Sequence, residues 1–109
     1  KMTITYEASA LAFVNAIRER YHLEPLDALR PGYKDKCDMC VITESLRECS
    51  AINEVRTTPN YVRIVHQEWD PNAPRVVKPI DEQIPTGAIV KEFINQFDRG
   101  EYPHLVKGK

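Results

Sequence analysis

Between Ala8 and Tyr21 the apolar residues Ala10, Val14, Ile17 and Tyr21 recur at i, i+4, i+7 and i+11, with Phe13 beside them and Asn15, Arg18 and Glu19 opposite. This spacing predicts an amphipathic helix. Thr5 and Glu7 suit its first turn, by capping free N–H groups and by placing negative charge near the positive helix end. Pro25 fits a first helical turn and Pro31-Gly32 fits a stop, so Glu24 to Leu29 reads as a short second helix. Asp35 can cap a third, running to about Glu48, whose apolar face is Met39, Ile42, Leu46 and Cys49 at i, i+3, i+7 and i+10, with Glu44 and Arg47 on the other side.

The pattern then changes period. Glu54 to Thr58, Tyr61 to Trp69 and Arg75 to Lys78 are short and rich in β-branched and aromatic residues, which predicts strands. Asp70-Pro71-Asn72-Ala73-Pro74 is a turn by chemistry, expected to join two antiparallel strands. Pro79 to Pro85 reads as an acidic connector. Val90, Phe93, Ile94 and Phe97 then mark a final helix, stopped by Gly100 and Pro103. The expected class is α+β: three N-terminal helices, a small antiparallel β-hairpin or sheet, and a C-terminal amphipathic helix packed on it. One domain spans 2–104, and 105–109 form a tail expected to fray. Lys1, ahead of Met2, reads as an added residue, with Met2 the natural start.

Composition supports one ordinary core. With 42% hydrophobic and 28% charged residues in 109, the chain can fill an interior and clothe it. Fifteen basic against sixteen acidic side chains leave no overall field that favours nucleic acid or an anionic membrane. No run approaches the roughly 18 to 20 apolar residues of a membrane span, and no secretory signal pattern is visible, so a cytoplasmic protein is expected. Three cysteines crowded into one segment fit a reducing compartment better than a disulfide scaffold.

The densest local chemistry is Cys37-Asp38-Met39-Cys40. At about 100° per residue on a regular helix, Leu46 and Cys49 lie near Ile42 on the buried face, whereas Cys37 and Cys40 point away. Two thiolates at this spacing could share a zinc ion with Cys49 or a histidine, although no second C-x-x-C is present and His22, His66 and His104 stand apart. They could instead form a redox pair near a helix start, or simply pack as free thiols. Catalytic residues are not indicated: no Ser-His-Asp motif or carboxylate pair stands out, and four unclustered glycines exclude a P-loop or dinucleotide fingerprint, so no enzyme is expected.

The element order matches the outline of a winged helix-turn-helix, with the third helix as reader and Asp70 to Pro74 as wing. Arg30, Lys34, Lys36 and Arg47 would then meet DNA, but Asp38, Glu44 and Glu48 on the reading helix oppose phosphate. Trp69, Tyr61 and Tyr33 are amphipathic side chains of the kind that anchor protein interfaces. At Leu29-Arg30-Pro31-Gly32 followed by Cys37, and at Phe97-Asp98-Arg99-Gly100-Glu101-Tyr102-Pro103, the chain resembles small uncharacterised proteins of actinobacteria and their phages. The resemblance implies an accessory or host-directed role in a host cytoplasm and brings no site residues. A non-enzymatic interaction or regulatory protein, acting on a protein partner or as a homo-oligomer, is the expected function. A DNA-binding regulator and a metal-stabilised or redox module are the alternatives.

Overall fold

Thr5 sets where the first helix begins. Its backbone is extended (φ −86°, ψ 154°) and its hydroxyl accepts a hydrogen bond from the Ala8 N–H at 3.0 Å, satisfying one of the open donors of the first turn. The computed structural model describes residues 5–21, 23–34, 40–47, 52–69 and 77–106, with sheet side chains described for 54–65 and 81–85. The predicted Asp70 to Pro74 turn therefore lies outside the described residues.

Helix α1 spans Tyr6–Arg20 and buries Ala10, Val14 and Ile17, as the apolar stripe requires. It also buries Arg18, at 3% exposure, on the side expected to face water. The Arg18 guanidinium donates from Nε to the Glu24 carbonyl at 2.6 Å and from Nη1 to the Ser45 carbonyl at 2.9 Å. One turn earlier, the Asn15 amide pairs with the backbone of Leu26 in both directions. It donates to the carbonyl at 3.0 Å and accepts from the N–H at 2.8 Å.

These side chains correct the expected second helix. Residues 23–30 form no helix and run back along α1, because the backbone groups of Glu24 and Leu26 are already taken by Arg18 and Asn15. A six-residue helix has little stability of its own to set against such pairing.

The third expected helix is shorter than its apolar pattern suggested. Helix α2 covers Val41–Leu46 and buries Val41, Ile42, Thr43, Ser45 and Leu46. Cys40 is its N-cap, extended at φ −73° and ψ 172°, and the proposed cap Asp35 lies outside the described residues. The Ser45 hydroxyl donates to the Val41 carbonyl at 2.7 Å and accepts from the Arg30 N–H at 2.9 Å, joining α2 to the loop.

Strands β1 (Ile52–Thr57), β2 (Tyr61–Trp69) and β3 (Val77–Pro85) form an antiparallel meander in the order β1-β2-β3. A bulge between Ile52 and Glu54 breaks the first ladder. Val55, Thr57, Val62 and Ile64 point into the core, with Ile84 partly buried against it.

The expected Pro79 to Pro85 connector is the body of β3. Strand β3 lies at an edge, where prolines are tolerated because one side of the backbone needs no partner. Its neighbouring acids are split by the pleat. Asp81 goes out to Arg63, whereas Glu82 goes in to Arg20 and the Tyr21 hydroxyl.

Helix α3 (Gly87–Asp98) buries Val90, Phe93, Ile94 and Phe97, the four positions its spacing marked. Gly100, at φ +83°, closes it: its N–H donates to the Phe97 carbonyl at 3.0 Å while the Glu101 N–H reaches the Gln96 carbonyl at 3.0 Å. This is a Schellman stop, and only a residue tolerant of positive φ fits there without strain. The chain then packs further than expected. A 3-10 turn over Pro103–Leu105 buries Leu105, whose carbonyl accepts the Gly32 N–H at 2.9 Å, and Val106 bridges Gly32 in parallel. An apolar side chain and an open carbonyl gave Leu105 something to bury and something to bond, which corrects the expected fraying at 105 and 106. Residues 107–109 lie outside the described residues.

The protein is thus α+β, with three helices and a three-stranded antiparallel sheet among the described residues. Among the described residues two helices precede the sheet where three were expected, and α1 packs on both α2 and α3 while α2 packs on β1. No described helix is long and apolar enough to cross a membrane.

Replacing Asn15 by Ala leaves the Leu26 N–H and C=O without their partner in a half-buried position. Urea unfolding of Asn15→Ala should show a loss of about 1–3 kcal/mol, and hydrogen exchange at the Leu26 amide should accelerate. A loss below about 0.3 kcal/mol would mean that this amide does not pin the loop.

Candidate functional site

The sheet separates its side chains by parity. Val62 and Ile64 of β2 face the core, so Tyr61, Arg63 and Val65 belong to the opposite face. The ladders align this outer face in rows. Glu54 pairs with Val65 and Val65 with Asp81; Arg56 pairs with Arg63 and Arg63 with Gln83; Tyr61 pairs with Pro85. Glu54, Arg56, Asp81, Gln83 and Pro85 are exposed, and Tyr61, Arg63 and Val65 are half-buried among them.

Arg56 directly opposite Arg63 is an unfavourable pairing of like charges. Asp81 relieves it. Arg63 donates from Nε to both Asp81 carboxylate oxygens at 3.0 Å and from Nη2 to Oδ2 at 2.6 Å, a forked bond across the strands. The same hydrogen bonds hold the Asp81 carboxyl below its usual range and push Arg63 up. Both groups are in water, so the pair orients the face more than it stabilises the fold.

The end of this face is anchored from behind. Around the β1–β2 turn, the Thr58 hydroxyl donates to the Tyr61 carbonyl at 3.1 Å and accepts from the Tyr61 N–H at 3.1 Å. Buried Thr86, just before α3, donates its hydroxyl to the Pro59 carbonyl at 2.6 Å and its N–H to the Asn60 carbonyl at 3.2 Å. The turn that presents Tyr61 is therefore tied to the start of α3.

The predicted metal or redox cluster is changed at its one described member. Cys40 is buried at 5% exposure, with Sγ 3.7 Å from the Thr43 hydroxyl, which in turn lies 2.9 Å from that of Thr57. The expectation that it points away from the core extended helical phase back past the first residue of α2, where it does not apply. Burial pushes the Cys40 thiol up, which disfavours the thiolate that redox chemistry and zinc both need. Cys37 and Cys49 lie outside the described residues.

The three proposed interface aromatics do not converge. Tyr61 and Trp69 occupy opposite ends of β2, about 27 Å apart at the rise of a strand. Tyr33 is half-buried beside Gly32, at the C-terminal bridge, and the Trp69 side chain lies outside the described set.

The proposed DNA-contacting residues are also dispersed. Arg30 is half-buried, Lys34 is exposed near Gly100, Arg47 bonds Glu44 at 3.1 Å, and Lys36 lies outside the described residues. Helix α2, the supposed reader, has five of its six residues buried, whereas a reader must present a face to the groove.

Elsewhere, Glu82 joins Arg20 and Tyr21 where α1 meets β3, and burial followed by the Glu82 carboxylate pushes the Tyr21 hydroxyl well up. This cluster closes the α1–sheet seam. His104 meets Glu7 at 3.1 Å on the surface. Two open cavities of about 210 and 440 Å³ flank α1 where residues 23–29 return along it. Comparison with known proteins finds no family model that matches the chain, and neither a curated protein nor a solved structure similar to it.

Native Cys40 should react with a small thiol reagent far more slowly than in urea, read by mass spectrometry of the labelled peptide. Labelling at equal rates in both conditions would contradict its burial. Its raised pKa has a sign: the unfolded chain releases this proton at lower pH than the folded one, so stability present below the ordinary thiol range is lost as pH rises through it. Chemical unfolding from pH 7 to 10 should show that decline, and Cys40→Ala should reduce it.

Proposed function

We propose that this chain is a non-enzymatic interaction or regulatory protein that binds a protein partner through the outer face of its sheet. The observation that carries this reading is the contrast between the two faces. Val55, Val62 and Ile64 are sealed against the helices, while Glu54, Arg56, Asp81 and Gln83 stand in water on a cross-linked three-stranded platform. Such a surface is ordered before it meets a partner, so binding loses less side-chain and backbone freedom than a loop would. Charges of both signs surround the half-buried Tyr61 and Val65, which is the polar-rim, apolar-centre arrangement of a modest protein interface.

The balance of two arginines and two carboxylates also favours a protein over nucleic acid, which would be met by phosphate-binding cations without nearby acids. An accessory role of the kind that the resemblance to small actinobacterial and phage proteins implies fits this proposal. A photo-crosslinking residue placed at exposed Gln83 should give protein adducts in cells that express the chain, and the same residue at exposed Lys91 on α3 should not. Equal adducts at both positions, or none at Gln83, would overturn the assignment of this face.

A further inference from the structure

Charge on the outer face is arranged by row. Glu54 and Asp81 are the ends of one row, and Arg56 and Arg63 lie in the next, one residue pair along the strands. We infer that this face is self-complementary, and that its partner is a second copy of the chain packed sheet to sheet about a two-fold axis. This rests on the reading of the outer face as the binding surface and names its occupant.

The axis is selected by charge. If it runs across the strands between the two rows, each copy places Glu54 over Arg56 of the other, and Asp81 over the Gln83 amide, which can donate to it. If it runs along β2 instead, Glu54 meets Asp81 and Arg63 meets Arg63, so like charges coincide and that arrangement is rejected. A two-fold contact uses the same patch on both copies, so each favourable pair occurs twice. Packed sheets lie about 10 Å apart, a gap that arginine and glutamate side chains reaching from both sides can span. The described face is small and charged, so the association is at the weak end of protein interfaces and sensitive to salt.

Sedimentation velocity of the whole chain, over a range of concentrations at low and high salt, tests this. The wild type should dimerise with concentration and dissociate as salt rises. Arg56→Glu alone, or Glu54→Arg alone, makes the facing positions 54 and 56 alike in charge and should weaken self-association on the order of tenfold or more. An equimolar mixture of those two variants should dimerise again, because both facing pairs of positions 54 and 56 are then opposite in sign. The double variant E54R/R56E should dimerise for the same reason. Both positions are exposed, and circular dichroism of each variant checks that it folds.

A wild type that stays monomeric at every concentration overturns the inference. The outer face would then survive as a site for a different protein if Gln83 still crosslinks to one. A dimer whose strength no substitution alters, or a mixture that fails to reassociate, shows that copies meet elsewhere and overturns it equally.

Discussion

A single buried cation organises the helical half of the molecule. Arg18 reaches the carbonyl of Glu24 with one edge of its guanidinium and that of Ser45 with another, so α1, the loop that follows it and α2 share one side chain. A charge at 3% exposure carries a large desolvation cost, which hydrogen bonding must offset. That requirement makes the arrangement specific: moving the loop or α2 strands the guanidinium. Asn15 adds a second tie one turn away, and together they hold an irregular segment against α1 without any helix in it.

The sheet solves a different problem, that of placing many charges on a short length of chain. The pleat sends Asp81 and Glu82 to opposite faces, where separate arginines receive them. Glu82 sits on the inner side with 29% of its side chain exposed and is held by Arg20 and Tyr21 at the seam with α1. Asp81 works on the outer side by pairing with Arg63 from the strand opposite Arg56, which offsets the charge of the arginine pair. The two faces therefore use the same chemistry for different ends, closure of the fold on one and patterning of a surface on the other.

Both long helices were legible in the sequence, because an apolar stripe at helical period has few alternatives; α3 buries the four residues its spacing selects. Long-range pairing was not legible. Pro25 signals a helix start only if the backbone beyond it is unclaimed, and no local rule registers an asparagine eleven residues away. The acids of β3 looked like one solvated run because they are adjacent, although adjacency in a strand means opposite faces. Arg18 did carry a signal, standing at i+4 from Val14 and i+8 from Ala10, in line with the stripe. Its charge outweighed its position. Of the outer-face residues, Tyr61 was singled out as an aromatic, but the charged rows become visible only when the register between strands is known.

The bond from Gly32 to Leu105 and the contact of Glu7 with His104 tie early parts of the chain to late ones, the latter across a separation of 97 residues. During vectorial synthesis, at about 5–20 residues per second, α1 emerges with its stripe exposed and waits several seconds for α3, its main helical partner. The nascent chain therefore passes through a window in which half of its core is on display. The Thr5 cap and the Asn15 and Arg18 ties to the adjoining loop and α2 become available before the sheet and α3 are made, giving the early segment local order while it waits.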